Sequence, residues 1–464
     1  MNPELQRHLW TEFSAQRLIV MPLALGAMFA LALLTGSNNL ATLADVTVAV
    51  FVVLMFFWGT RRAADSIVSE LRDGTWDAQR MSAQSAFTMS WGKLLGATAY
   101  AWYGAAMCLA AYLFVAFTPE TSEWLRWQSR LLPDHEGMPI RAAMMVLVAL
   151  TGQAAALACA MALVRKRRAD RGVSVTLCHF AGLIVSVLLF WNVFGWFLSA
   201  GRVDWFGFDI DAGPFTLASA AAFLFWSFLS VLRLMRAELL YRIRPWAWAA
   251  FAVFIALWGL GLAHHLLVLS GAGVVPWLAL PFVVVALLVY AAFLLEQKDQ
   301  VRLRSWLRQI AALRLARAAR DAPAWAQLFA MSLVLAAAVA IATPFDAADA
   351  VLAGYVVAHA PAMAISAVLF LLRDLALLLS VNLSANPRRG DGSGLVYLML
   401  LYVLAPLLAR ALGDPSLVAI FLPVVPDERL ISVGSPALQA MAMIGLLAWQ
   451  LSRQASTLPG GGRR

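Results

Sequence analysis

Apolar residues in this chain are gathered into twelve long runs, and shorter polar segments separate them. Each run is long enough to cross about 30 Å of hydrocarbon as a helix. The runs cover approximately residues 18–35, 43–60, 94–118, 139–164, 174–199, 215–234, 246–269, 274–295, 326–343, 350–372, 394–412 and 436–452. The pattern predicts an all-α, polytopic membrane protein with about twelve transmembrane helices.

The composition agrees with this pattern, because 62% of the residues are hydrophobic and only 13% are charged. These values lie far outside those of soluble domains. The formal net charge of +9 requires no nucleic acid, since basic loops beside anionic lipid headgroups account for it. The lipid bilayer is therefore an expected partner of the chain, and nucleic acid is not.

The distribution of lysine and arginine predicts the orientation of the chain. Cytoplasmic loops retain these residues preferentially. An amino terminus in the cytoplasm would place 29 of the 35 basic residues on that side, Arg373 among them. We therefore expect both termini in the cytoplasm and the protein in the inner (plasma) membrane. The first run has no small-x-small cleavage site and is expected to remain as a signal anchor.

The order of the segments favours two similar halves. Before the first run, apolar residues recur at helical spacing among charged ones, which indicates a helix in the membrane interface. These apolar residues are Leu5, Leu9, Phe13 and Leu18. A comparable segment at 231–245 precedes the seventh run. We expect a first half at 1–230 and a second, more divergent half at 231–464, although any chain of twelve helices can be divided into sixes.

A long polar loop at 61–93 separates the second run from the third. Its first part has the pattern of a short amphipathic helix, which Asp65 or Ser66 could cap and which Gly74 should end. Thr75 could cap a second short turn. We expect this loop to lie along the membrane and to turn its polar side chains toward the cytoplasm. The polar side chains are Glu70, Arg72, Asp73, Asp77, Gln79 and Arg80.

The same loop resembles part of a known family. Glu70 is followed by Gly74-Thr75, by Ser82 and by Gly92-Lys93-Leu94 at the opening of the third run. This order is similar to that of the permeases of type-2 ABC exporters, and the similarity covers roughly residues 1–120. Those permeases usually have a proline between the Gly-Thr and Gly-Lys elements. In this chain Ala83 or Gln84 occupies that region.

The resemblance implies that the loop couples the chain to an ATPase. The coupling residues would be Glu70, Arg72, Asp73, Gly74, Thr75, Asp77, Gln79 and Arg80. The chain contains no Gly-x-x-x-x-Gly-Lys-Ser/Thr motif, so ATP and Mg would be bound by a separate ABC ATP-binding subunit. We therefore expect a transport permease that is not itself an enzyme. An amphipathic or lipid-like substrate suits the scarcity of charges, and whether one chain or a homodimer forms the pathway stays open.

The second long loop, at about 296–325, has neither the Glu-x-x-x-Gly-Thr nor the Gly-Lys element. Arginines alternate there with apolar residues at helical spacing. Two interpretations stay open: a second, degenerate coupling region that includes Arg302, Arg308 and Arg314, or a basic helix that lies on anionic lipid.

Other classes of protein fit the sequence less well. The main alternative is a twelve-span secondary transporter driven by an ion gradient, but such folds commonly have their long loop after the sixth span. A membrane-embedded enzyme is disfavoured because the His-Glu-x-x-His and Gly-x-Ser-x-Gly motifs are missing. His264 and His265 would point about 100° apart on a helix, so no metal site is expected.

Overall fold

The computed structural model of the protein describes most of the chain. The described ranges are 2–35, 39–82, 84–118, 137–166, 173–194, 201–241, 246–269, 273–298, 300–345, 351–383, 390–412, 415–423 and 429–456.

Helices make up nearly all of these residues. The α-helices of the first part are α1 (Pro3–Glu12), α2 (Ala15–Thr35), α3 (Asn39–Val52), α4 (Thr60–Arg72), α5 (Trp76–Arg80), α6 (Ala86–Gly96), α7 (Ala99–Ala116), α8 (Gly137–Lys166), α9 (Val175–Val187) and α10 (Ala212–Glu238). Those of the second part are α11 (Ala247–Leu269), α12 (Val274–Leu295), α13 (Gln300–Ala311), α14 (Leu315–Asp321), α15 (Ala324–Ala342), α16 (Val351–Asn382), α17 (Gly390–Met399), α18 (Ala405–Ala411) and α19 (Arg429–Ser456).

Shorter elements complete the description. The π-helical segments are Val53–Gly59, Leu188–Phe194 and Leu400–Leu404, and the 3-10 helices are Thr343–Phe345 and Pro415–Ile420. A two-stranded hairpin of β1 (Arg202–Trp205) and β2 (Phe208–Asp211) precedes α10.

Eleven helices among the described residues are long and apolar enough to cross a membrane. This confirms the predicted all-α, polytopic class, because the apolar runs have become helices of membrane-spanning length. The fifth predicted run, 174–199, corresponds to a shorter apolar helix, Val175–Trp191. The twelve predicted spans thus correspond to eleven candidate spans and one shorter apolar helix among the described residues.

The second candidate span extends far beyond its apolar run. It is one helix of 33 residues, Leu40–Arg72, formed by α3, the π-helical segment and α4. The predicted helix start at Asp65 or Ser66 is therefore wrong. Neither glycine nor proline interrupts the sequence between Thr60 and Arg72, so nothing stops the helix at the end of the apolar run. The hydroxyl group of Ser66 instead donates to the carbonyl group of Ala63 at 2.7 Å.

The predicted interfacial helix at 231–245 is also wrong where the structure describes it, because residues up to Glu238 belong to α10. Residues 242–245 lie outside the described residues. Val231 and Met235 are fully buried in a core formed with α4, α8 and α9. The chain divides into two compact units, Met1–Asp204 with Phe208–Ile243 and Trp205–Gly207 with Arg244–Arg464. The predicted boundary at 230 falls inside α10.

Small residues allow α8 and α9 to pack closely in the first unit. A Cβ atom placed on Gly182 would lie 2.5 Å from the carbonyl oxygen of Gly152 and 2.6 Å from the Cβ atom of Ala156. Association of helices in a membrane depends on such close contact, because lipid tails are as apolar as leucine.

In the second unit, α16 is longer than the tenth predicted run. The candidate span is His359–Asn382, so Arg373 lies inside a span and not in a cytoplasmic loop as expected. The apolar sequence that follows Asp374 continues the helix, and the two charged side chains are paired with each other. The second long loop contains α13 and α14, which confirms the helical spacing of its apolar residues.

Candidate functional site

The residues of the first long loop lie where α1, α4, α5 and α6 meet. Helix α4 ends because Gly74 has a φ of +74°, a left-handed conformation that glycine adopts without strain. The amide of Thr75 then donates to the carbonyl group of Glu70 at 2.9 Å, as is typical of helix C-termini. Helix α5 begins at Trp76, so only a tight turn separates it from α4.

Asn2 attaches α1 to α6. Its side-chain oxygen accepts hydrogen bonds from the amides of Glu4 and Leu5 at 3.0 and 3.3 Å, which caps α1. Its side-chain amide donates to the carbonyl group of Thr88 at 2.7 Å. Gly92 permits the close approach of the two helices, because a Cβ atom there would lie 2.5 Å from the Cβ atom of Glu4. Glu4 is thereby brought beside Lys93.

Lys93 is the centre of a largely buried group of charged and polar side chains, which we call the Lys93 cluster; its members are Glu4, Arg7, Glu70, Gln79 and Lys93. Arg7 lies at the edge of the cluster, with 44% of its side chain exposed. The ammonium group of Lys93 forms a salt bridge with Glu70 and lies 3.1 Å from Oε1 of Glu4. It also donates to Oε1 of Gln79 at 3.2 Å. Lys93 is 0% exposed, Glu4 3% and Glu70 6%. The ring of Trp76 lies 5.3 Å from the ammonium nitrogen, within range of a cation–π interaction.

Arg7 completes the charge balance of the cluster. Its guanidinium group lies 2.7 Å from Oε1 of Glu4 and also forms a salt bridge with Glu70. The side chain of His8 approaches Glu4 to 3.3 Å. Two carboxylates thus face an ammonium and a guanidinium group, which is the compensation that buried charges require.

The surroundings of Glu4 change the pKa of its carboxyl group. Burial alone raises this pKa, because it disfavours the charged form. The hydrogen bond with His8 and the charges of Lys93 and Arg7 outweigh burial and hold the pKa well below its ordinary value of 4.5. Glu4 therefore carries a negative charge at neutral pH although almost no water reaches it.

The structure separates the predicted coupling residues into two groups. Glu70 and Gln79 belong to the Lys93 cluster, so the expectation that Glu70 points toward solvent is wrong. The reason is that only the buried position brings its carboxylate within reach of Lys93. The others lie on or beside α5: Arg72, Asp73, Gly74, Thr75 and Asp77 are exposed, and Arg80 is half-buried. Arg80 lies 3.6 Å from Asp77 across one helical turn.

Sequence reasoning did not identify Glu4, Arg7 and Lys93 as site residues. Glu4 and Lys93 are 89 positions apart along the chain, and no local periodicity connects them. One signal was present, because Lys93 is one of only three lysines beside 32 arginines. A lysine fits a compact buried site of this kind, since its charge is a point on a flexible stem.

Glu4, His8 and Glu70 also have the spacing of metal ligands, since their ligand atoms lie within 4.8 Å of one another. However, the ammonium group of Lys93 contacts both carboxylates and supplies the positive charge that a metal ion would bring. The arrangement is therefore complete as an ion-pair cluster.

The arginines of the second predicted coupling region lie on a different element. Arg302 and Arg308 are on α13, and Arg314 is at the turn before α14. All three side chains are exposed, and Arg302 lies 3.8 Å from Glu296.

A second buried polar centre lies inside the spans of the second unit. Asp374 is 0% exposed and accepts hydrogen bonds from the hydroxyl groups of Tyr290 and Tyr402. Arg373 donates to Asp374 at 2.8 Å and to the side chain of Gln439 at 2.6 Å. Three spans therefore meet at one carboxylate, and a fourth is connected to it through Arg373. Sequence reasoning missed this centre because it placed Arg373 in a cytoplasmic loop.

Comparison with protein-family models, with curated proteins and with solved structures gives no match to this chain. The likeness to type-2 ABC permeases therefore stays a prediction from the sequence, and what the structure establishes is a multi-pass helical membrane protein.

Proposed function

We propose that the chain is the transmembrane permease subunit of an ATP-binding-cassette exporter. The observation that carries the proposal is the Lys93 cluster, because it joins the two parts of the predicted coupling motif. Glu70 precedes the Gly-Thr element and Lys93 belongs to the Gly-Lys element, and a buried salt bridge connects them.

The Lys93 cluster holds α5 in place against α4 and α6. We call α5, with the turn at Asp73–Thr75 before it, the α5 projection. Gln79 on α5 binds Lys93 on α6, while the turn at Gly74 fixes α5 to α4. The charged outer residues of this projection include Asp73 and Asp77, which are exposed. A rigid, charged and exposed turn of this kind suits a cleft on a partner subunit. That partner would bind ATP and Mg, and this chain would supply the pathway.

The second candidate span could transmit a movement of this projection into the membrane. Leu40–Arg72 has 33 residues, so it is about 50 Å long at 1.5 Å per residue. This exceeds the hydrocarbon thickness of about 30 Å. A push on α5 would therefore move a single continuous helix, and the pathway would open by the rocking of that helix against its neighbours. An amphipathic or lipid-like substrate suits the apolar walls of such a pathway.

A charge-reversal experiment tests the proposal. We expect Asp73→Arg at the end of α4, combined with Asp77→Arg on α5, to abolish co-purification of an ATP-binding subunit with the full chain. The probe is photolabelling of the purified complex with 8-azido-ATP. The matched control is Asp209→Arg with Asp211→Arg on the β hairpin, which changes the charge equally at side chains that are 58% and 71% exposed.

A labelled subunit that is lost only from the α5 variant would support the proposal. Retention of the subunit in both variants, or the absence of any labelled subunit from the wild-type preparation, would contradict it.

The Asp374 centre favours a second candidate function, a secondary transporter driven by an ion gradient. Ionisable residues inside spans are rare and commonly mark ion or proton pathways. For this candidate we expect uptake of protons into vesicles that contain the purified chain, without ATP, and its loss in Asp374→Asn. Proton uptake equal to that of empty vesicles would exclude a transporter of this kind that is driven by protons.

A further inference from the structure

Helices α13 and α14 form a basic hairpin in the second unit. The indole of Trp306 donates to the carbonyl group of Ala318 at 3.0 Å, and the side chain of Gln309 donates to Asp321 at 3.0 Å. The outer side of α13 and the start of α14 border a groove of about 590 Å³. Four of its lining residues are arginines and none is acidic. The arginines are Arg304, Arg308, Arg314 and Arg317.

Three of these arginines keep their charge available for a ligand. No carboxylate among the described residues forms a salt bridge with Arg308, Arg314 or Arg317. Like charges held around one groove repel each other, so a bound anion would stabilise them. Guanidinium groups bind phosphate oxygens with paired, parallel hydrogen bonds. The chemistry of the groove therefore indicates a phosphate group.

Exposed leucines beside the groove indicate the source of that phosphate. Leu313 is 81% and Leu315 64% exposed, and they flank Arg314 at the turn of the hairpin. Leu313 also has a φ of +54°, a left-handed conformation that is unfavourable for a residue with a side chain. Glycine at this position would avoid the cost, so the leucine side chain makes the folded state less stable than glycine would. Apolar side chains next to cationic ones are typical of elements that lie in a membrane interface.

The position of the hairpin agrees with this source. Span α12 ends at Leu295 and span α15 begins at Ala324, so both ends of the connection are at the membrane surface. A soluble phosphate would gain nothing from the exposed leucines, whereas a phospholipid would contact them with its acyl chains.

We propose that this groove is a binding site for the phosphate group of an anionic phospholipid, with Leu313 and Leu315 against the acyl chains. Arg308, Arg314 and Arg317 bind the phosphate oxygens. The site holds the hairpin to the bilayer surface, and it does not depend on the proposed transport function.

Native mass spectrometry of the detergent-purified full chain tests the proposal, with phosphatidylglycerol and phosphatidylcholine as probes. We expect preferential retention of phosphatidylglycerol, and about thirtyfold weaker binding in Arg308→Gln with Arg317→Gln, since each arginine near a lipid surface contributes about 1 kcal/mol. The matched control is Arg302→Gln with Arg320→Gln, which removes the same charge from exposed positions outside the groove. It should retain the lipid.

Equal loss of lipid in both double variants, or in neither, would overturn the proposal. Displacement of the lipid by an equal concentration of glycerol 3-phosphate would overturn it as well, because the ligand would then be a soluble anion. If the groove variant kept the lipid and lost an 8-azido-ATP-labelled subunit, the hairpin would be a protein contact.

A third variant separates binding from folding. Glycine adopts the backbone conformation of Leu313 without steric cost, so the midpoint of thermal unfolding of Leu313→Gly should stay unchanged or rise. Retention of phosphatidylglycerol should nevertheless fall. Unchanged retention in this variant would contradict the role of the leucine.

Discussion

At the scale of single residues, we expect Lys93 to contribute more than any other side chain to the stability of the contact between α1, α4, α5 and α6. Lys93→Met would leave Glu4 and Glu70 buried together with less compensation, and loss of one partner of a buried ion pair costs about 3–5 kcal/mol. We expect a clearly lower midpoint of thermal unfolding in detergent. Addition of Glu70→Gln should recover part of the loss, because the excess negative charge is then removed. Arg72→Gln, at an exposed position, is the control and should change little.

Glu4 should make the stability of the protein depend on pH. Its pKa is lower in the folded chain than the ordinary value of 4.5, so the folded state binds this proton more weakly than the unfolded state. The stabilisation is therefore fully present well above pH 4.5, and it is lost as the pH falls past 4.5 toward the lower folded value. We expect the free energy of unfolding to fall below pH 5, and to fall less steeply in Glu4→Gln. Equal pH dependence in both proteins would contradict this origin.

The residue scale is also where the sequence was least informative about the site. Glu70 and Gly74 could be identified from a short local motif, because a motif and a helix end are both local features. Their relation to Glu4 could not, because it depends on α1 folding back onto α6, which a single sequence does not specify. The direction in which Glu70 points depends on the same tertiary contact.

At the scale of elements, the contact between α8 and α9 should tolerate no added methyl group. Gly182→Ala would place a Cβ atom against the carbonyl oxygen of Gly152, and overpacking of this kind costs about 1–3 kcal/mol. We expect a lower midpoint of thermal unfolding. The matched control is Gly26→Ala on α2, where nothing lies within 4 Å of the added Cβ atom. If both variants unfolded at the same temperature, the close packing of these helices would be in doubt.

The boundaries of the membrane-crossing runs and the ends of the helices depend on different physical causes, and this explains why some helix ends were predicted wrongly. Hydrophobicity predicts where a helix can enter hydrocarbon, and most runs are confirmed for that reason. A helix ends, however, where its backbone is interrupted or capped. The second span therefore continues to Arg72, and α10 continues to Glu238, past the last residue of each apolar run. Gly74 was predicted correctly because it is a backbone signal.

At the scale of the whole molecule, the number of crossings can be tested within the first unit. If the shorter helix Val175–Trp191 crosses the membrane, three crossings separate α5 from the β hairpin and the two lie on opposite sides. In intact spheroplasts we expect a membrane-impermeant maleimide to label Asp209→Cys and not Asp77→Cys. Lysis should expose the second site. Of the three native cysteines, Cys108 and Cys178 are buried and Cys159 is half-buried on α8, so the unsubstituted chain serves as the measure of background labelling.

Labelling of both positions from the same side would show that this helix does not cross. The predicted cytoplasmic location of both termini would then have to be revised, because each crossing reverses the side of the segment that follows. The fold class would be unaffected, since it rests on the apolar helices themselves. The class was predictable from the sequence because the bilayer admits few ways for a chain to cross it.

Because Lys93 is completely buried, the Lys93 cluster should respond to salt differently from the arginine groove of α13 and α14. Mobile ions screen exposed charges over about 8 Å at physiological ionic strength, and they screen buried pairs much less. The contact between Lys93 and Glu70 should therefore keep its strength from dilute buffer to high salt, whereas Arg308 and Arg317 should release an anionic headgroup as the salt concentration rises. The packing of α1, α4, α5 and α6 around the Lys93 cluster should thus be equally stable at every salt concentration that the cell meets.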